Sequence, residues 1–331
     1  IADFNIVDGY KSKKSKEENT LTHLFSKYQL DFDFENFTQS SLDISFQKVS
    51  NDTYLKVFDT NILNTDLKPD NFDTLTSEID LNFKNKNFDL KTGFTAYEDL
   101  SKPNSDRYQY VLPYYNLSKN FFNNNFASIN FNSLGDNILK DTNSLRSRMI
   151  NNLKIQSNDY FTKNGLKNNF NYYLKNSINA GKNNIEYDSS PHVKFMNIFE
   201  FISSFPLIDK NENYINYLNP KASLRINPSS MKNYKNENRR INNDNIFNVN
   251  RLGLIETLEA GENLTLGLEY KKEKIDNINK YFELKLGTVL RNKSNENIPS
   301  NSTIDKKRSN YFGAITNNLN DNMTLKYEFS I

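Results

Sequence analysis

The sequence contains no cysteine, no tryptophan, two histidines, ten glycines and eight prolines in 331 residues. Lack of cysteine excludes disulfides, thiol nucleophiles and thiolate metal sites within these residues. The two histidines, His23 and His192, have no ligand partner at metal spacing, and His23 lies among Leu21, Leu24 and Phe25. Both therefore read as structural. The glycines form no phosphate-cradling loop. Ser189-Ser190-Pro191-His192 sets a hydroxyl close to an imidazole along the chain but supplies no strand-borne partner to complete a hydrolase site. These gaps argue against catalysis and against a bound cofactor or metal. No run of about 18 apolar residues occurs, which excludes a membrane-crossing helix. A net charge of +2 is too small to argue for nucleic acid. The chain opens at Ile1 with neither an initiator methionine nor a signal peptide, as expected of a processed chain or a piece of a longer one.

What is present is aromatic: 25 Phe and 19 Tyr, in a chain whose mean hydropathy is only −0.76. Disordered chains are polar but poor in aromatics, and here the aromatics sit at alternate positions. Leu30, Phe32 and Phe34 interleave with Asp31, Asp33 and Glu35, and Leu42, Ile44 and Phe46 with Asp43, Ser45 and Gln47. A period of two describes a strand with one apolar and one wet face. The twelve residues Lys48–Asp59 break the alternation and open a long polar loop. Similar runs follow at 78–94, 107–119, 125–134, 147–158, 166–178, 190–204, 214–227, 250–260, 264–270, 280–290, 310–318 and 323–331. Turns fall at Lys84–Asn87, Phe122–Asn125, Asn164-Gly165, Gly261-Glu262-Asn263 and Leu319–Asn322.

The pattern predicts roughly sixteen antiparallel strands of about 9–12 residues, the length that crosses an outer membrane when tilted. Long connections are expected at 50–73, 135–146, 179–190, 228–249 and 291–309, alternating with short ones except for one lapse between 205 and 309. The fold class expected is all-β, an antiparallel up-and-down transmembrane barrel with one barrel domain over 1–331. Asp31, Asp33, Glu35, Asp43, Asp80, Glu269, Lys285, Lys326 and Glu328 then line its lumen. A soluble sandwich or solenoid competes less well, because no fixed-period repeat is visible. The ending Glu328-Phe329-Ser330-Ile331 lacks the terminal aromatic common in outer-membrane proteins, and an open edge cannot persist in lipid. The chain accordingly reads as the middle of a larger barrel.

Two basic clusters lie in long loops: Arg239 and Arg240 with Lys232 and Lys235, and Asp305-Lys306-Lys307-Arg308. They read either as solvated loop charge or, for Arg239, Arg240, Lys307 and Arg308, as contacts to lipopolysaccharide phosphates. The Asp and Asn residues of 241–245 offer oxygen ligands at a spacing that fits no defined cation loop.

Several segments resemble the LptD lipopolysaccharide-assembly family, in its C-terminal barrel. They are Lys48-Val49-Ser50-Asn51-Asp52-Thr53-Tyr54-Leu55-Lys56-Val57-Phe58-Asp59, then Arg107-Tyr108-Gln109-Tyr110-Val111-Leu112-Pro113, then Leu218-Asn219-Pro220-Lys221-Ala222-Ser223-Leu224. Asn250-Arg251, with Glu259, Gly261, Gly267 and Tyr270, is similar to a family hairpin, although Leu252 replaces an aromatic, Glu256 an Asp and Thr257 an Arg. Asn310-Tyr311-Phe312-Gly313 also resembles the family.

The resemblance implies a barrel of roughly 26 strands that passes lipopolysaccharide to the outer leaflet of a Gram-negative outer membrane. It implies as partners lipopolysaccharide, an LptE-type lipoprotein plug in the lumen, a periplasmic bridge reached through an N-terminal domain, and the outer-membrane lipid around the barrel. Asn250, Arg251, Glu259 and Gly261 become candidate lumen or partner contacts. The alternatives are a porin or TonB-dependent-type uptake barrel for small solutes, and a soluble or surface-displayed β-rich binding protein.

Overall fold

The structure is a computed structural model and describes residues 1–10, 19–58, 66–103, 106–320 and 322–331. Among the described residues, seventeen strands pair in antiparallel sheet. In chain order they are β1 Ala2–Tyr10, β2 Asn19–Asp31, β3 Gln39–Val49, β4 Thr74–Asn85, β5 Phe88–Asp99, β6 Tyr108–Asn123, β7 Ala127–Lys140, β8 Ser144–Ser157 and β9 Tyr160–Phe161. There follow β10 Lys167–Lys182, β11 His192–Ser204, β12 Leu207–Lys210, β13 Tyr214–Asn227, β14 Gly261–Lys274, β15 Tyr281–Arg291, β16 Phe312–Asn320 and β17 Met323–Ser330. A short helix, α1 Tyr54–Phe58, follows β3.

The chain divides into two compact units: 1–121 with 131–151 and 177–194, and 122–130 with 152–176 and 195–331. In the first, each of β1 to β5 pairs with its successor, and β5 with β6 across a register slip at Gly93/Thr95. In the second, β13 to β17 form the same meander, and β11 and β12 both pair with β13.

The two faces of these strands are inverted relative to a water-soluble protein. In the second unit, Leu224 and Leu266 are 44% and 39% exposed, whereas their neighbours Ser223 and Thr265 are 0% exposed. On β11, Phe195 and Phe199 are exposed while Glu200 is buried. In the first unit the directly paired Ile79 and Phe94 are exposed, and Asp80, between the aliphatic neighbours Ile79 and Leu81, is buried. Phe32 and Tyr327 are exposed and Leu268 half-buried, so none of these three lies in a closed core. Large side chains outside and carboxylates inside cost free energy in water and gain it in lipid.

Apolar cores exist nonetheless, and loops build them. Met231, Ile241, Ile246, Leu252, Leu254, Ile298 and Ile304, all from connections, pack with Val289 and Phe312 of the sheet in the second unit. In the first unit Tyr54 and Leu55 of α1 pack with Leu21, Phe25, Val49, Leu75 and Leu100.

Four expectations need correction. The strand expected through Glu35 is β2 and ends at Asp31: Phe32, Phe34 and Phe37 fold over the β2–β3 connection against Phe83 and Phe88, so Asp33 and Glu35 lie in that connection. Residues 250–260 are not a strand but the end of one irregular connection spanning 228–260, and the expected turn at Gly261 is the start of β14. This accounts for the lapse in alternation. The connection expected over 135–146 shrinks to 141–143, because Asp141 and Thr142 both adopt positive φ and close a tight hairpin without glycine. The connection expected over 179–190 starts later, since β10 continues to Lys182. The proposed turn at Asn164-Gly165 holds, with Gly165 at φ +85°. Asp59 of the Lys48–Asp59 stretch and Asp321 of the Leu319–Asn322 turn lie outside the described residues.

Candidate functional site

The 228–260 connection is tied to the polar face of the second unit by side chains. Arg251, 3% exposed, makes two parallel bonds to Glu259: Nε to Oε2 at 2.6 Å and Nη2 to Oε1 at 2.7 Å. It also donates to Thr265 and Asn263 of β14, at 2.9 and 3.1 Å. Arg291 of β15 donates to the same Glu259 carboxylate and to the Ala260 carbonyl. One loop carboxylate thus joins two guanidiniums, and burial makes breaking the set costly. Burial pushes the Glu259 carboxyl upward, but Arg251 foremost, with Arg291 and Arg225, outweighs it and holds it down at about 2.

A second buried pair stands behind the first. Arg225 of β13 donates to Glu200 of β11 at 2.6 Å, and to the carbonyls of Asn248 (3.0 Å) and Phe247 (2.5 Å) in the loop. Glu200 also accepts from Asn171 and Ser223, at 3.0 and 2.9 Å. Lys175 of β10 donates to the Ile255 carbonyl at 2.7 Å, and Asn227 to that of Glu259 at 2.9 Å. The loop backbone therefore finds its acceptors' partners in strand side chains rather than in a ladder.

Of the four residues expected at this site, Arg251 and Glu259 form its centre. Gly261 borders it with φ +91°, and a Cβ there would stand 2.9 Å from Arg291 Nη2. Asn250 is exposed and shapes the loop, exchanging bonds with the backbone of Leu254 at 2.7 and 2.9 Å. Thr257, standing where the family pattern has arginine, is buried with its hydroxyl 3.3 Å from Met196 Sδ. Glu200, Arg225, Lys175 and Arg291 were not anticipated. For Glu200 and Arg225 the signal was a charged residue flanked on both sides by large apolar ones, in Phe199-Glu200-Phe201 and Leu224-Arg225-Ile226, whereas Lys175 and Arg291 each have an apolar neighbour on one side only.

The basic loop residues are distributed differently. Arg239 is half-buried and pairs with Glu237 at 3.1 Å, and Arg308 stacks over the Tyr311 ring at 4.7 Å. The Arg240 and Lys307 residues are exposed. The two loops touch, since Asn301 donates to Asn238 at 2.6 Å and accepts from the Arg239 backbone at 3.3 Å. Within 241–245 the amides of Asn242 and Asn245 cap the local turn, and Asp244 lies 3.5 Å from Lys326.

In the first unit the Lys48–Phe58 segment is a clamp. Lys48 bonds Glu98 at 2.9 Å, Asp52 bonds Arg107 at 2.7 Å, and Arg107 bonds Glu98 at 2.7 Å. Asn51 accepts from the Thr53 N–H at 2.9 Å and opens α1. Buried Tyr54 meets His23 Nδ1 at 2.8 Å, and His23 Nε2 lies 3.3 Å from Asp3. His23 is thus a buried residue inside β2, its Nδ1 partnered by Tyr54. On neighbouring strands, Asp80 pairs with Lys91 at 2.5 Å and accepts from Tyr114.

An antiparallel sheet with apolar side chains outward, buried charges on its other face, and loops fastened over that face defines a protein of the outer-membrane β-barrel class. The family model for LPS transport system D, LptD, matches residues 23–330, and the chain belongs to that family. No individual curated protein matches it.

Proposed function

We propose that this chain is wall and inner loop of the lipopolysaccharide translocon, integral to the outer membrane of a Gram-negative cell. Its sheet would belong to a closed barrel of roughly 26 strands, the number the family resemblance implies, with an LptE-type lipoprotein in the lumen and a periplasmic bridge delivering the lipid. The wall carries out transport without catalysis. The observation behind this reading is the inverted sheet: Leu224, Leu266 and Phe199 point away from the chain, while Arg225, Thr265 and Glu200 are buried. Exposed Arg240 and Lys307 on touching loops are suited to the phosphates of arriving lipopolysaccharide.

The test is depletion of the full-length protein in its own cells, followed by labelling of lipopolysaccharide at the cell surface. New lipopolysaccharide should stop reaching the surface while uptake of small solutes continues. Unchanged surface lipopolysaccharide with lost solute uptake would replace this reading with the uptake barrel. Extraction of the protein into buffer without detergent would replace both.

A further inference from the structure

The outward face of the second unit is not smooth. A cleft of about 380 Å³ opens on it, lined by Ala127, Ile155, Phe170, Phe201, Leu224 and Ile226. Two ring pairs, Phe170–Phe201 and Tyr172–Phe199, lie along it with centroids 4.9 and 4.8 Å apart. Polar groups at its border are committed to the sheet. Ser157 Oγ accepts from the Phe170 N–H at 2.8 Å, and Glu200 accepts from Arg225, Ser223 and Asn171 on the other face. Water in this cleft would meet few partners, so an apolar occupant is favoured.

Size and course narrow that occupant. An apolar cavity of ~150 Å³ holds one benzene ring, so this cleft has room for roughly fifteen carbons. It crosses β8, β10, β11 and β13, which at ~4.8 Å per strand spans roughly 14 Å. That is about half of a ~30 Å hydrocarbon core, the share of one leaflet's acyl chains. One end lies at Ala127, the first residue of β7, and Ser157, the last of β8, against the short connections 124–126 and 158–166. Short connections mark the periplasmic side of an outer-membrane barrel. Exposed Tyr160 stands on the same face there, because it pairs with Asn168, two residues before Phe170. A tyrosine in that place suits the border between headgroups and hydrocarbon.

We propose that this cleft holds one acyl chain of a phospholipid from the periplasmic leaflet. The chain runs from Ala127 and Ser157 toward Leu224 and Ile226, with its headgroup level with Tyr160. The site rests on the outward face meeting hydrocarbon, as in the function proposed above. Lipopolysaccharide, in the opposite leaflet, is the competing source of a chain.

The experiment is native mass spectrometry of the full-length protein, inserted into dioleoylphosphatidylethanolamine vesicles and released in mild detergent. One phospholipid should stay bound at a detergent concentration that strips the rest. Ala127→Phe and, independently, Ile155→Phe fill the cleft with side chains that hydrocarbon accepts, and each should lower that occupancy about tenfold. Leu266→Phe, outward on β14 and beyond the cleft, should leave it unchanged. Co-sedimentation with the vesicles reads insertion separately. A parent protein that does not insert overturns the membrane reading. One that inserts yet retains no phospholipid, or retains it despite both filling substitutions, overturns this site alone. Displacement of the phospholipid by equimolar lipid A would assign the cleft to the other leaflet's lipid and overturn the proposal as well.

Discussion

Glu259 is one carboxylate serving two guanidiniums, and its protonation is therefore a stability variable. Burial favours its neutral form, yet Arg251, Arg291 and Arg225 hold its pKa at about 2, below the usual range. A depressed carboxyl contributes stability that is complete above its unfolded pKa and is lost as pH falls toward the folded one. The contribution, on the order of 3 kcal/mol, should disappear between about pH 4.5 and pH 2. Thermal unfolding of the detergent-solubilised protein across that window should show the decline, and Glu259→Gln should start lower and flatten the curve. A parallel decline in the variant would assign the acid sensitivity to other groups. Gly261 belongs to the same latch. Its φ of +91° and the 2.9 Å approach of Arg291 predict that Gly261→Ala destabilises by more than about 1 kcal/mol, measurable in the same unfolding assay.

The clamp of the first unit shows how an element is fixed by a few side chains. Helix α1 has five residues, too few to stand alone. Tyr54, Leu55 and the Asp52–Arg107 pair hold it against the strands. Tyr54→Phe keeps the packing and removes the partner of buried His23, for an expected loss of about 1–3 kcal/mol. Arg107→Ala severs both Asp52 and Glu98, and limited proteolysis should then cleave within 50–58 faster than in the parent chain. At this scale the sequence was readable where one period ruled. Leu264, Leu266, Leu268 and Tyr270 alternate because one face of β14 is uniformly apolar, and β14 is a strand. Residues 250–260 repeat that signal deceptively: Leu252, Leu254, Leu258 and Ala260 are spaced by even intervals and all buried, but in a loop core. Alternation records burial on one side and does not reveal whether the backbone partners are another strand or side chains such as Lys175 and Arg225. The Arg251–Glu259 pairing was legible as a motif; Arg291, thirty-two residues beyond Glu259, becomes its neighbour only through the β14/β15 register.

Across the whole molecule, the decisive question is which solvent meets the outward side chains. On β14 the outward run Leu264, Leu266, Leu268 and Tyr270 gives way to Lys272 and Lys274, and Lys272 lies 4.3 Å from the Tyr214 ring on β13. At about 3.4 Å per residue, Leu264 to Tyr270 spans roughly 20 Å along the strand, near the ~25 Å apolar band of outer-membrane barrels. A lysine and tyrosine border is what a headgroup boundary selects, because each side chain joins an apolar body to a polar tip. Position alone should then decide the cost of a charge. Leu266→Arg, in the middle of the run, should destabilise the membrane-inserted protein by about 2–4 kcal/mol, whereas Lys272→Leu at the border should change little. Reversible unfolding from lipid vesicles gives both values. If Leu266→Arg proved neutral there, water rather than hydrocarbon would face that strand, and the outward leucines would need a protein partner to explain them.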